Sequence, residues 1–485
     1  MGKLTAVLFF ISMPFLLTAQ EKWDLRKCVE YGMKNNISVQ QADVQARIAA
    51  LQLKQARYYQ YPTLNFSTGT GLRFGRSIDP TTNQFSTTQF LYQNFGFNGG
   101  IQVFNWGRLK HNVAATSFSA EAALADVERT ANDIALNIAT YYLQVLAAKE
   151  QIAIDTIQIA QTKAQYDVTK AKVDVGALPE LNLAELEAQL ATDSSNLITA
   201  QQTFEQNLLA LKGLLSLDAA TPFAIETPPI EEIPLENIAD LQPEVVYQSA
   251  LQFFPQQKAN AFRIKSAQST IKSQKAAMYP TISAGYDLST NFSNSFQKTT
   301  GYKFLGYDTS GLFNPIVNVG GVPYFVQNPQ IAITTGKRSF GELWNGWPSQ
   351  INNNFGQNIG IQIQIPIFNS GTYKLNYERS KLDLKTAELQ KEQADLQLKQ
   401  DIYNAYINAT SSMQKYFVGA KTVQSAQKAY DYALKRYEVG LLTTIDLLTT
   451  QNKLLTAKLQ QLTNQTDYVF RMKLLEFYKG QGLKL

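Results

Sequence analysis

Gln362 and Gln364 sit two residues apart in a stretch where Ile359, Ile361, Ile363, Ile365 and Ile367 take every other place, and Gly360 joins the glutamines. Amides at that spacing, alternating with branched aliphatics, give a β-strand one wet face and one oily face. The chemistry on offer is hydrogen bonding to water along a surface rather than bond breaking. The chain has one histidine, His111, and one cysteine, Cys28. A lone histidine argues against a His-based metal cluster or a Ser–His relay, and a lone cysteine rules out an internal disulfide. No constellation for an enzyme, a metal or a cofactor stands out. His111 and Cys28 read as structural residues.

Directly after Asn369-Ser370-Gly371 the period changes from strand to helix. An earlier segment does the same: Gly100 to Phe104 alternates, and Asn105-Trp106-Gly107 precedes a long helical run. Phe104-Asn105-x-Gly107 matches Phe368-Asn369-x-Gly371. The entries match too, since Tyr61-Pro62-Thr63-Leu64 is mirrored by Tyr279-Pro280-Thr281-Ile282. The chain reads as two repeats after a leader. Residues 1–20 form the leader. Residues 21–241 are the first repeat, with a hairpin at 63–105 and helices over 106–214. Residues 242–485 are the second, with a hairpin at 281–368 and helices over 369–479.

Taken in order, Trp23 to Tyr61 reads as one helix with Leu25, Val29, Met33, Val44, Ile48 and Leu51 as its apolar positions. It stops before Pro62, which disfavours helix at the residue ahead of it. Leu64 to Phe74 and Phe95 to Val103 alternate as strands around a polar stretch. Arg108 to Val175 holds neither Gly nor Pro, so the helix would run roughly 100 Å at about 1.5 Å per residue. A rod of that length needs a coiled-coil assembly. Gly176-Ala177-Leu178-Pro179 turns the chain, and Leu183, Leu190, Leu197, Phe204 and Leu211 then repeat at a spacing of seven. Gln242 to Tyr279 reads as a second entry helix, Ile282 to Thr290 as a strand, and Phe292 to Asn354 as a long outer loop. The strand from Phe355 to Ile367 leads to a helix that ends at Gly440. Leu447, Leu454, Tyr468 and Leu475 repeat the first-half stripe, and Leu441, Leu448, Leu455, Leu462 and Val469 form a second stripe beside it. Two neighbouring stripes suit a ring of helices.

Bulk numbers narrow the class. The net charge of +5 comes from 44 basic and 39 acidic residues mixed along the chain, with no basic block for nucleic acid. Aromatic residues make up 11%, and many lie near the strands, as in membrane-interface girdles. Lys3, the apolar run Leu4–Leu17 and Ala19 have the form of a cleaved signal peptide. No cysteine follows that run closely, so a lipid anchor is not supported. Beyond it no apolar run is long enough for a membrane helix. A chain that spans a membrane must then do so with strands. Four strands cannot close a barrel, because the smallest need about eight, and open edges are not tolerated in lipid. The strands must be pooled among copies. Asn65, Arg73, Gln102, Asp287, Gln362 and Gln364 would line a wet interior, and Ile359, Ile361, Ile363 and Ile365 would face lipid.

With these elements the sequence resembles a TolC-like outer-membrane efflux protein. The likeness spans nearly all of the mature chain. It is carried by the doubled Tyr-Pro entries and Phe-Asn-x-Gly exits, and above all by Tyr437-Glu438-Val439-Gly440 followed by Ile445-Asp446-Leu447-Leu448. The resemblance implies a mainly α fold with membrane β. Long antiparallel coiled-coil helices would form a periplasmic α-barrel, and four strands per chain would enter a homotrimeric twelve-strand β-barrel. It implies a passive duct, not an enzyme, in the outer membrane of a Gram-negative bacterium. A periplasmic adaptor and an inner-membrane efflux transporter would be its partners, and an exit duct for type I protein secretion is the sister reading. A periplasmic coiled-coil scaffold without a pore is a further alternative. The strands interrupt the helices twice with one polarity, which disfavours it.

The resemblance also implies site residues. The pore entrance would hold Asp446, Thr449, Asn182 and Tyr437. Leu442 and Asn182 stand where the best-known relative has a charged lock. Gly176, Ala177, Leu178, Gly440, Leu441 and Leu442 would be the adaptor-docking tips. Asp446 reads equally as a ring carboxylate or as a helix-start charge, Leu441 and Leu442 as contacts or caps, and Tyr437 as packing or gate.

Overall fold

The computed structural model describes residues 22–78, 83, 85, 86, 89–226, 229, 230, 233–308 and 315–480. The expected signal peptide, residues 1–20, lies outside them. Among the described residues the first elements are α1 (Leu25–Asn35) and α2 (Ile37–Tyr58), then strands β1 (Thr63–Arg73), β2 (Ser77–Ile78), β3 (Phe85–Ser86) and β4 (Phe90–Phe104). Helices α3 (Arg108–Asp174) and α4 (Glu180–Leu214) follow. After a connector come α5 (Pro243–Phe253) and α6 (Pro255–Ala276). Strands β5 (Thr281–Ser295), β6 (Gln297–Asp308), β7 (Ile316–Val319), β8 (Val322–Phe325) and β9 (Asn328–Lys337) lead to α7 (Trp347–Asn353) and β10 (Gly356–Gln364). The last helices are α8 (Thr372–Glu438) and α9 (Thr444–Lys479). Lengths match between halves: α1 and α5 have 11 residues each, α2 and α6 have 22, and α3 and α8 have 67.

Five expectations need correction. Each entry helix is two helices. Asn36 takes an extended backbone, its Oδ1 accepts from the Ser38 amide at 2.8 Å, and its Nδ2 donates to the Leu214 carbonyl at 2.8 Å. A side chain that caps the next helix and ties down another ends the first. The break before Pro255 has the steric cause already met at Pro62: Phe254 is extended. Val44, Ile48 and Leu51 are exposed rather than packed. The segment from Phe292 to Asn354 is no loop, since it carries the end of β5, strands β6 to β9 and α7. Ile365 lies past the end of β10, where Pro366 cannot donate to a ladder. Within α4 the fully buried positions include Leu186, Asp193 and Ala200. The anticipated stripe at Leu183, Leu190, Leu197 and Phe204 is half-buried beside them, with Leu211 alone fully buried.

The chain divides into two compact units, and the division cuts across the two halves. One holds Ala114–Thr270 with the chain up to Leu53 and from Arg379 onward. Its largest core joins α1, α3 and α4 through Leu25, Cys28, Ile138, Leu143, Leu211 and Leu215. Tyr142 is buried there and donates its hydroxyl to the Glu226 carbonyl at 2.6 Å. A second core joins Leu241 and Val246 to Ile402, Ala405, Met472 and Leu475. Among the described residues no helix is long and apolar enough to cross a membrane.

The other unit, Lys54–Val113 with Ile271–Glu378, carries a four-stranded antiparallel sheet in the order β1-β4-β5-β10. Both strand-to-helix junctions fold alike. Trp106 and Gly107 have φ of 53° and 75°, and Ser370 and Gly371 have 55° and 75°. Two successive left-handed residues turn the chain sharply into α3 and α8. That conformation is cheap for glycine and costly for a residue with a side chain.

Leu211→Ala, which removes a fully buried side chain from the main core, should destabilise the folded protein by about 2–5 kcal/mol. Chemical denaturation in detergent checks it, and a loss below 1 kcal/mol, roughly that of a surface change, would place Leu211 outside the core.

Candidate functional site

Both helix turns end in the same backbone motif. The Gly176 amide donates to the Val173 carbonyl and the Ala177 amide to the Lys172 carbonyl, each at 2.8 Å. The Gly440 amide donates to Tyr437 at 3.0 Å and Leu441 to Arg436 at 2.8 Å. This pair of bonds satisfies the last carbonyls of a helix, and it requires a left-handed residue. Gly176 and Gly440 supply it, with φ of 74° and 71°. The next helices start differently, with Pro179 as the cap of α4 and Thr443 as the cap of α9. The Thr443 hydroxyl accepts from the Asp446 amide at 3.2 Å and donates to the Asp446 carboxylate at 2.6 Å. Asp446 is therefore the acidic partner of a capping turn, and it remains exposed together with Thr449.

The tip residues sort by exposure. Gly176, Ala177, Gly440 and Leu441 are exposed, while Leu178 and Asn182 are half-buried. Leu442 packs on the small core of Tyr430, Ala433, Tyr437, Leu447 and Leu454. Leu442 is thus a packing residue of this turn. The exposed apolar residues of the tips include Val175, Leu181, Val439 and Ile445, which reasoning from the turn motif alone missed. Their signal was present: apolar side chains within two residues of a tip glycine or at the first helical positions.

Tyr437 is buried, its hydroxyl bonds the Thr169 hydroxyl at 2.8 Å, and the Lys172 ammonium lies 5.7 Å from its ring centre. It latches the end of α8 to the end of α3. One turn of the pattern earlier, Gln165 donates to the Tyr430 hydroxyl at 2.8 Å. These contacts belong to a longer seam. In the distal part of α3 the buried residues are Asp155, Gln158, Thr162, Gln165 and Thr169. Their spacing of three and four is that of a coiled-coil core, yet every one is polar. Asp193 of α4 lies at the centre. It accepts from Thr162 at 2.6 Å, from Gln189 at 2.8 Å and from Gln158 at 3.5 Å. Gln451 of α9 donates to Thr162 at 3.2 Å. Asp155 accepts from Gln151 at 3.0 and 3.1 Å. Burial pushes the Asp155 carboxyl above the usual range. The Gln151 hydrogen bond opposes that shift, and the nearby Asp193 charge adds to it. Hydrophobic periodicity is blind to a seam of this kind.

In the other unit the sheet register separates the side chains by face. Asn65, Asn98, Asp287 and Asn358 lie in one row across the strands. Gln102, Ser283 and Gln362 make a second polar row on the same face, which also carries Arg73 and Gln364. The opposite face holds Leu64, Tyr286 and Ile359 in one row, Ile101, Ala284 and Ile361 in another, and Phe104, Ile282 and Ile363 in a third. Ile359, Ile361 and Ile363 are 82%, 76% and 62% exposed. Toward the far ends of β4 and β5 the segment 339–354 covers this oily face. Phe292 is fully buried and stacks on Trp344 at 5.8 Å, and Trp347 donates to Gln93 at 2.8 Å.

A family model described as outer membrane efflux protein matches residues 33–216 and 327–478. The chain is 24% identical over 250 residues to the pyoverdine export outer membrane protein OpmQ of Pseudomonas putida, a match covering 50% of each chain. It therefore spans about half the length of that relative. It is 19% identical to the toxin and drug export protein A of Aggregatibacter actinomycetemcomitans over 88% of this chain and 80% of that one. Among solved structures, CusC superposes with a TM-score of 0.72 at 17% identity, over 94% of this chain and 92% of that chain. The Campylobacter jejuni CmeC outer membrane channel gives 0.69 at 19% identity, over 95% and 86%.

The Asp155 shift has a sign. A carboxyl whose folded value is raised costs stability while it is ionised, above that value. The cost is relieved as the pH falls through it toward the unfolded value. Asp155→Asn should therefore slow amide exchange along residues 155–169 at neutral pH, with the gain shrinking in mild acid. Hydrogen-exchange mass spectrometry reads it, and a gain independent of pH would assign the effect to packing.

Proposed function

The chain belongs to the outer membrane efflux protein family, and from that premise we propose that it is the outer-membrane exit duct of a tripartite efflux pump. One observation carries the reading. A four-stranded sheet with a wet face and an oily face is left unpaired at both edges, β1 and β10. Lipid does not tolerate such edges, and the closure of several sheets around one axis removes them. Three copies would give twelve strands, as the family resemblance implies. Each chain supplies its strands from two repeats, 21–241 and 242–485. In such a barrel the row Asn65–Asn98–Asp287–Asn358 lines water, while Ile359, Ile361 and Ile363 face lipid. A scaffold without a pore has no use for that division.

The remaining roles rest on the helix tips. Exposed Leu441, Val439, Val175 and Leu181 offer apolar side chains at the tip, where a periplasmic adaptor would cover them. An inner-membrane transporter would deliver the cargo, which passes through without chemical change. Asp446 and Thr449, exposed on the first two turns of α9, would face the entrance, and three Asp446 carboxylates around one axis would attract cations. Asn182 is neutral, so each chain would contribute a single charge at this level. Tyr437 positions the α8–α9 turn from behind.

Mass measurement of the detergent-solubilised protein should give a trimer, and a stable membrane-inserted monomer would defeat the reading. In planar bilayers, Asp446→Asn should weaken block by divalent cations while leaving assembly intact, and unchanged block would reduce Asp446 to its capping role. Ile363→Arg should impair insertion by about 2–4 kcal/mol if the residue lies near the membrane midplane. Cysteines placed one at a time at positions 361 to 364 should alternate between lipid-soluble and water-soluble labels, and labelling without that alternation would reject the assignment of faces.

A further inference from the structure

Strands β6 and β9 form a two-stranded ribbon between β5 and the segment that holds α7. The register sets Tyr302 opposite Ile333 and Phe304 opposite Ile331 on one face. Lys303 stands opposite Ala332, and Gly301 opposite Thr334, on the other. Tyr302 is 74% exposed, Ile333 61% and Phe304 55%. A two-stranded hairpin is marginal in water without a surface to pack on, and an oily face of this kind marks a contact site.

The side on which the oily face lies decides what covers it. Lys298 stands opposite Gly336 on the polar face of the ribbon, and its ammonium reaches Glu342 Oε1 at 2.7 Å. Glu342 belongs to the segment that covers the oily face of the four-stranded sheet, where Asn294 donates to the Glu342 carbonyl at 3.0 Å. The polar ribbon face therefore continues the sheet's oily side. The oily ribbon face continues the side of Asn65, Asn98 and Asp287. Polarity is exchanged at the register slip between Thr299 and Gly301, since an extra residue in one strand turns the following side chains over.

On the reading of the chain as a barrel subunit, lipid lies on the opposite side, and the oily ribbon face turns toward the axis. We propose that the oily ribbon faces of the three copies pack against one another over the mouth of the channel. The partner is thus a second copy of this chain. At the centre of the oily face the register sets only the uncharged Tyr302, Phe304, Ile331 and Ile333, with Lys303 on the other face and Lys337 at the base of the ribbon, so no like charges meet where three copies would pack. The proposal rests on the trimeric reading and adds a constriction to it.

Single-cysteine variants test it. Native Cys28 is fully buried and its thiol is pushed up to about 12 by burial, so it does not compete for reagent. With a short bis-maleimide on intact outer membranes, Ile333→Cys should give crosslinked pairs of chains and Ala332→Cys should not. Phe304→Cys and Lys303→Cys repeat the comparison on the other strand, so one misfolded variant does not decide the matter. The mass of the same preparations is measured in detergent. Trimers that crosslink at neither face, or equally at both, overturn the ribbon contact alone. Trimers whose Ile333→Cys is labelled by a lipid-borne probe instead make the membrane the occupant and also overturn it. Absence of trimers overturns the reading of function on which the ribbon contact depends.

Discussion

A peptide N–H in hydrocarbon has no water to turn to, and an unpaired one costs several kcal/mol, roughly. The sheet β1-β4-β5-β10 leaves one such row on each outer edge. In the proposed barrel those edges are closed by further copies, and the other features of the chain suit that requirement. In the proposed barrel, the alternation of the strands turns one face to lipid and the other to water. The sheet is entered and left twice with the same polarity, through matched junctions at Asn105-Trp106-Gly107 and Asn369-Ser370-Gly371. Equal lengths of α3 and α8 then bring both exits to turns that end in the same motif.

The helical unit solves a different problem. Near the large core, α3 buries Ala135, Ile138, Ala139, Leu143 and Leu146, and apolar area holds the helices together. Toward the tip the same helix buries Asp155, Gln158, Thr162, Gln165 and Thr169. Each polar pair there contributes little net stability, because folding exchanges water contacts for protein contacts. Misplaced partners, by contrast, leave buried groups unsatisfied at a larger cost. A seam of this kind fixes register more than it adds strength. Tyr430 and Tyr437 extend it from α8, each with one hydroxyl contact to α3. Toward the tip, α3 is thus aligned with its neighbours by hydrogen bonds, which can exchange with water, while α8 and α9 pack on a small apolar core and the body of the helices is aligned by packing.

The sheet's outer end shows how one residue redirects a surface. Alternation alone carries a polar face through the whole of β5. The extra residue near Thr300 turns the pattern over, so that an oily ribbon face follows a wet sheet face. The segment 339–354 folds onto the opposite face and hides Phe292 under Trp344. Oily and wet are therefore local assignments in this unit, fixed by register rather than by composition.

Strand faces, long helices and turns were legible in the sequence because each depends on neighbours in the chain. Alternation places Ile359, Ile361 and Ile363 on one side whatever else the protein does. A run without Gly or Pro from Arg108 predicts one helix, and α3 is one helix. Glycine at 176 and 440 marks a left-handed turn that few other residues adopt. The tertiary structure decided what depends on partners distant in sequence. Asn36 breaks its helix because Leu214 offers a carbonyl to its side chain. Leu442 is half-buried at its turn because Tyr437 and Leu447 lie beneath it. Asp193 is buried because Thr162, Gln189 and Gln158 surround it, and a heptad of leucines beside it drew the eye instead. The strands beyond Phe292 were unreadable because bulges at Thr300 and Leu305 break the alternation on which such readings rest. Local periodicity is written in consecutive residues, whereas a polar core and a shifted register are defined only once distant segments have met.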